Sequence, residues 1–169
     1  MNRIGKIVGG LSASILLATS AWAANHGAAA VAADAPVSAT VTASDCWIRQ
    51  IPAPAPSGGF LVFHNTGAQV NLISAQSPDY AQVMIHQTTE ENGMSKMSMV
   101  HQVALPAAGQ LAFKPGSYHM MLEQARDGLK VGDHVQVNFA LDNGQRVTAQ
   151  CEVKPAKAMS GMSGHQMKH

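Results

Sequence analysis

The chain has 169 residues and a formal net charge of +1, and only 12% of its residues are Asp, Glu, Lys or Arg. So even a charge balance, with no basic stripe, argues against a nucleic-acid partner. No stretch supplies the roughly 20 consecutive apolar residues of a membrane-spanning helix, and the length suits one domain around a single core.

In chain order, Arg3 and Lys6 precede a mostly apolar run from Ile7 to Ala18, followed by the small-residue site Ala21-Trp22-Ala23. Charged, apolar and small-residue regions in that order form a secretory signal peptide, residues 1–23. Its loss removes two cations and turns a charge of +1 into −1, and no cysteine stands at the cleavage point to take a lipid anchor. Residues 24–38 are rich in alanine with little periodicity, and read as a disordered linker.

Over residues 39–154, short apolar runs bounded by Gly, Pro and Asn recur about every ten residues, the rhythm of an all-β sandwich or barrel. Thr40 to Arg49 reads as the first strand, and the run Pro52-Ala53-Pro54-Ala55-Pro56 then bars the backbone from a central sheet position. Gly59 to His64 and Gln69 to Ala75 follow as strands, with a turn at Ser77-Pro78-Asp79. Val83 to Thr88 and Met97 to Val103 read as antiparallel neighbours, because Asn92-Gly93 between them favours the positive φ angles of a tight hairpin. Leu111 to Phe113 and Ser117 to Glu123 flank a Pro115-Gly116 turn and give the next pair. The alternating runs Val135 to Leu141 and Val147 to Val153, joined through Asp142-Asn143-Gly144, form the clearest hairpin. Residues 155–169 carry no periodic apolar face and read as a mobile tail.

An export signal with two cysteines, Cys46 and Cys151, makes a disulfide the first reading of that pair. Closing so long a loop would stabilise the fold by roughly 4–5 kcal/mol in the chain-entropy model. The alternative is a redox-active or copper-binding thiol pair, though no CxxC spacing is present.

Candidate chemistry gathers between Met84 and Met121. A lone methionine is ordinarily core filler and a lone histidine a surface residue, yet nine of the ten methionines lie at or beyond Met84. Strand alternation puts His119 and Met121 on one face and Tyr118, Met120 and Leu122 on the other. A two-residue turn at Asn92-Gly93 sets His86 opposite Met99, with Met97 as the diagonal neighbour, roughly 7–8 Å away between Cα atoms. His86, Met97, His119 and Met121 thus make a set of two imidazoles and two thioethers without a carboxylate. Such soft donors suit monovalent copper and not magnesium or calcium. Imidazole must be neutral to bind, so Cu(I) affinity is expected to weaken below about pH 6. Met159, Met162, His165, Met167 and His169 form a second cluster in the tail, read as an auxiliary copper site taking Cu(II) through its histidines, or else as a solvated tail. His101 shares strand parity with Met97 and Met99. His64 and His134 read as surface or turn residues, and His26 lies in the linker.

The spacing His86, ten residues, Met97, twenty-one residues, His119-Met120-Met121 resembles the motif of the PCu(A)C copper chaperones of the periplasm. So do Leu105-Pro106-Ala107, Lys114-Pro115-Gly116-Ser117-Tyr118-His119 and Cys46-Trp47-Ile48-Arg49. The resemblance runs from about Ala39 to Val153. It implies a cupredoxin-like Greek-key β-sandwich with an exposed Cu(I) site at those four residues, in a periplasmic, monomeric carrier. It also implies delivery to a cuproprotein, the CuA centre of cytochrome c oxidase subunit II, with a Sco-type protein as a second partner. Met84 stands where that family is expected to have a carboxylate, and Met94 and Met99 add thioethers, which would allow a looser or second copper position. The competing classes are a copper storage or resistance protein and a small copper oxidoreductase. Against an enzyme, four donors already fill the coordination sphere, and no cysteine thiolate of a blue-copper centre accompanies them.

Overall fold

The computed structural model describes Val31, Ala32 and residues 34–159. Ten strands make up the fold: β1 (Val41–Gln50), β2 (Ser57–Asn65), β3 (Val70–Gln76), β4 (Tyr80–Glu91) and β5 (Met94–Met99), then β6 (Val103–Leu105), β7 (Gly109–Phe113), β8 (Tyr118–Ala125), β9 (His134–Leu141) and β10 (Arg146–Pro155). They pair in the order β5-β4-β8-β2-β1-β10-β9-β3-β6, with β7 also on β2, and the ladder folds back on itself as a sandwich. Every pairing is antiparallel except β1 with β10, which closes the two ends of the domain side by side.

Alternation decides what goes inside. Val135, Val137, Phe139 and Leu141 of β9 and Val147, Ala149, Cys151 and Val153 of β10 all point into the core. Phe63 of β2 spans the interior, meeting Phe113 and Phe139 edge to face at 5.3 and 5.0 Å. Each such fully buried apolar side chain contributes about 1.5–3 kcal/mol relative to exposure.

The proline run lies in the loop between β1 and β2. Asn92 and Gly93 have φ of 53° and 77°, the two positive angles that a tight primed turn requires, and they set the β4–β5 register.

Two expectations are corrected. The segment Met97 to Val103 is two strands, not one: β5 extends the β4 hairpin as an edge, and β6 pairs with β3. The chain crosses between sheet halves because Val103 and Leu105 are drawn into the core while all of Met94–Met99 is exposed. Leu111 to Phe113 and Ser117 to Glu123 do not form a ladder with each other, since β7 takes the Leu61–Asn65 half of β2 and β8 takes Ser57–Gly59. The linker is held from Val31 onward: Val31 is buried and exchanges two hydrogen bonds with the Gln76 side chain, and Val37 bridges to Arg146. At the far end Pro155 closes β10, and Ala156–Met159 form a single 3-10 turn.

Candidate metal centre

Three neighbouring strands, β5, β4 and β8, carry the soft donors on one face. The β4–β8 register sets His86 opposite His119 and Met84 opposite Met121, and the β4–β5 register sets Met99 opposite His86 and Met97 opposite Thr88. On the other face of the same strands, Ile85, Met120 and Leu122 are buried in the core. That anchorage fixes which way the donors point.

His119 is nine-tenths buried and held at both nitrogens. Its Nδ1 lies 2.9 Å from the carbonyl oxygen of Ser117, and its Nε2 lies 3.2 Å from Met97 Sδ. A carbonyl can only accept, so Nδ1 carries a proton and donates it there, which leaves Nε2 as the nitrogen aimed at the Met97 sulfur. When the ring is neutral, Nε2 and the Met97 sulfur each turn a lone pair toward the same point. A soft cation placed there would take a donor from each, and the Ser117 carbonyl would be the outer partner that orients the ligating imidazole.

His86 is in a different position. Its ring centroid is 6.0 Å from that of His119, and both of its nitrogens are shielded from solvent without a hydrogen-bond partner. Loss of solvation lowers its pKa below the ordinary imidazole value, the nearby His119 lowers it further, and Glu123 opposes the shift. A neutral ring with an unused lone pair is what a metal ligand needs.

Met97, His119 and Met121 line one open depression of about 340 Å³ together with Thr88, Phe60 and Arg49. The structure therefore brings His86, Met97, His119 and Met121 onto one patch of sheet. Met97 is 52% exposed at the edge, so the patch is reachable from outside.

The other candidates fall elsewhere. Cys46 and Cys151 form a disulfide between β1 and β10. His64 shares a hydrogen bond of 2.9 Å with Ser44 Oγ, and His134 is exposed at the start of β9. Met94 is exposed near the hairpin tip, and His101 follows β5. Of the tail cluster, Met159 ends the 3-10 turn, while Met162, His165, Met167 and His169 lie outside the described residues, as does His26.

Sequence reasoning missed Arg49. Its guanidinium lies 5.8 Å from the centre of the Phe60 ring, and its Nε is buried without a partner. Nothing local in the sequence placed Arg49 of β1 at the depression lined by His119 and Met121 of β8.

The sandwich defines the fold class: a cupredoxin-like β-sandwich like that of solved PCuAC domains. The apo PCuAC domain of PmoF2 is 18% identical with a TM-score of 0.58, covering 71% of this chain and 94% of that one. The copper-bound form of that domain aligns with a TM-score of 0.56 at 17% identity, over 69% of this chain and 93% of that one. CuI-DR1885 from Deinococcus radiodurans is 26% identical with a TM-score of 0.54, over 72% of this chain and 81% of that one. By sequence, residues 41–153 match the LpqE-like family, and the chain belongs to it. A further relative, the uncharacterised protein RP573 of Rickettsia prowazekii (strain Madrid E), is 31% identical over 85 residues. That match spans 50% of this chain and 47% of the relative, about half the length of each.

Proposed function

We propose that this protein is a copper chaperone, binding Cu(I) through His86, Met97, His119 and Met121 and handing it to a cuproprotein. The observation that carries this reading is the unsatisfied donor set: two unpartnered ring nitrogens on His86, beside His119, whose Nε2 lies 3.2 Å from the Met97 sulfur. A neutral donor set leaves the bound ion with its full single charge, which weakens retention relative to thiolate ligation and favours release to an anionic acceptor. Met97, on the exposed edge strand, is placed to let go first, while the shielded His86 holds longest. Soft thioethers exchange one at a time, which carriage requires and catalysis does not. The copper-bound state of the PmoF2 domain and the CuI form of DR1885 support copper as the cargo.

The signal-like segment at residues 1–23 supports work in the periplasm. There the acceptor we propose is the CuA centre of cytochrome c oxidase subunit II, with a Sco-type thiol protein acting alongside. The test is X-ray absorption on the Cu(I)-loaded protein, in which a shell of nitrogen and sulfur neighbours is expected and a shell of oxygen donors would end the proposal. Growth then separates delivery from storage. A strain lacking the protein should lose oxidase activity when copper is scarce, whereas sensitivity only to excess copper would favour detoxification.

A further inference from the structure

The four-ligand set leaves out further soft donors, among them Met84 on β4, Met99 on β5 and His101 just beyond it. Met99 stands opposite His86 in the β4–β5 register, and the bond from Val100 N to Ile85 O (2.9 Å) carries that register past the end of β5. Continued one residue further, that register would set His101 against Met84, which in turn faces Met121 on β8. Met84, Met99 and His101 line one small cavity of about 40 Å³, where β5 leaves the sheet and β3 packs alongside.

Three features of this cavity point to an ion. Its lining holds two thioethers and an imidazole but no carboxylate, a donor set that suits monovalent copper and offers hard divalent cations no oxygen-anion ligand. Ser74, also in the lining, is buried, and its hydroxyl has no hydrogen-bond partner. Met99 is 50% exposed on an edge strand, where packing gives no reason for a large flexible apolar side chain.

We propose that Met84, Met99 and His101 form a second Cu(I) position adjacent to the first. Resting on the copper reading above, this position is a way-station: Met99 borders His86 and Met84 borders Met121, so an ion moves between the two positions by exchanging one neighbouring donor at a time. His101 and Met99, both exposed, face the outside and receive or release the ion.

The experiment uses the full chain with carbon-13 in the methionine ε-methyl groups, titrated anaerobically with Cu(I) supplied as its acetonitrile complex. The first equivalent should shift the Met97 and Met121 methyls, and further copper should shift Met84 and Met99 together with the ring protons of His101. In His119→Ala the first response should disappear and the second persist, whereas in the double variant Met99→Leu, His101→Ala the reverse should hold. Methyls of Met84 and Met99 that stay still in excess copper, or that complete their shift with the first equivalent, overturn the second position and leave the first standing. Silence at Met97 and Met121 would instead overturn the copper reading itself. Metal-free spectra of both variants report folding independently of copper.

Discussion

His86 keeps two ring nitrogens away from water with nothing to bond, and an unsatisfied buried polar group costs about 1–3 kcal/mol. Replacing it with leucine should therefore stabilise the metal-free protein, by about 1 kcal/mol in chemical denaturation. The same change should weaken Cu(I) binding by more than the roughly 10–100-fold that loss of an outer-shell partner costs. Gain of stability with loss of affinity is the signature of a residue kept for its ligand; a loss of both would point to a packing role. The lowered pKa of His86 adds a pH dependence. In the unfolded chain the ring takes up its proton near the ordinary value of 6.5, while in the folded protein it does so only at lower pH. Between the two, the unfolded state binds more protons, so stability is complete above the ordinary histidine range and declines as pH falls through it toward the native value. Denaturation midpoints of the metal-free protein across that range should show the decline, and His86→Leu should flatten it. Because His86 stays neutral to lower pH than an ordinary imidazole, its part in copper binding should also persist below the pH 6 or so expected from composition alone.

At the scale of elements, the site depends on two register devices. The Asn92-Gly93 turn fixes β5 on β4, and Gly93 has a φ of 77° with nothing within 4 Å of a would-be Cβ. Gly93→Val would meet no clash but would force a branched residue into left-handed backbone, at about 1–2 kcal/mol. Since β5 is wholly exposed, the effect should fall on the hairpin: Cu(I) affinity drops through Met97, while the thermal midpoint of the core moves little. Gly59 is the opposite case. It pairs with Met120, and a Cβ there would lie 2.5 Å from Met120 Cε and 3.0 Å from Leu122 Cδ1. Gly59→Ala should cost about 1–3 kcal/mol by overpacking and push β8 outward. Both readouts should change, because His119 and Met121 ride on the same strand as Met120.

For the molecule as a whole, the Cys46–Cys151 disulfide ties β1 to β10, the parallel contact that brings the two ends of the domain together. Cys46 sits in an irregular stretch of β1, between Ser44 and Trp47, where the β1–β2 register shifts. Replacing both cysteines with serine should lower stability by about 2–5 kcal/mol. Copper stoichiometry at the β4–β8 patch should stay unchanged, since β1 and β10 stand two and three strands along the sheet from β8; a loss of copper would return the thiol pair to consideration.

The order of residues alone settled a good deal. Period-2 alternation gave an all-β chain, Asn92-Gly93 gave the partner of His86 across the hairpin, and alternation put His119 and Met121 on one side, because each of these rests on interactions within a few residues. Local rules also misled where burial overruled them: the run from Met97 to Val103 reads as one strand, yet Val103 and Leu105 are pulled into the interior and break it. Only the tertiary structure set β4 against β8 with His86 facing His119, withdrew the His86 nitrogens from water, and brought Arg49 and Phe60 to the rim. Pairing between strands distant along the chain is chosen by how the whole core closes, and no short-range preference encodes that choice.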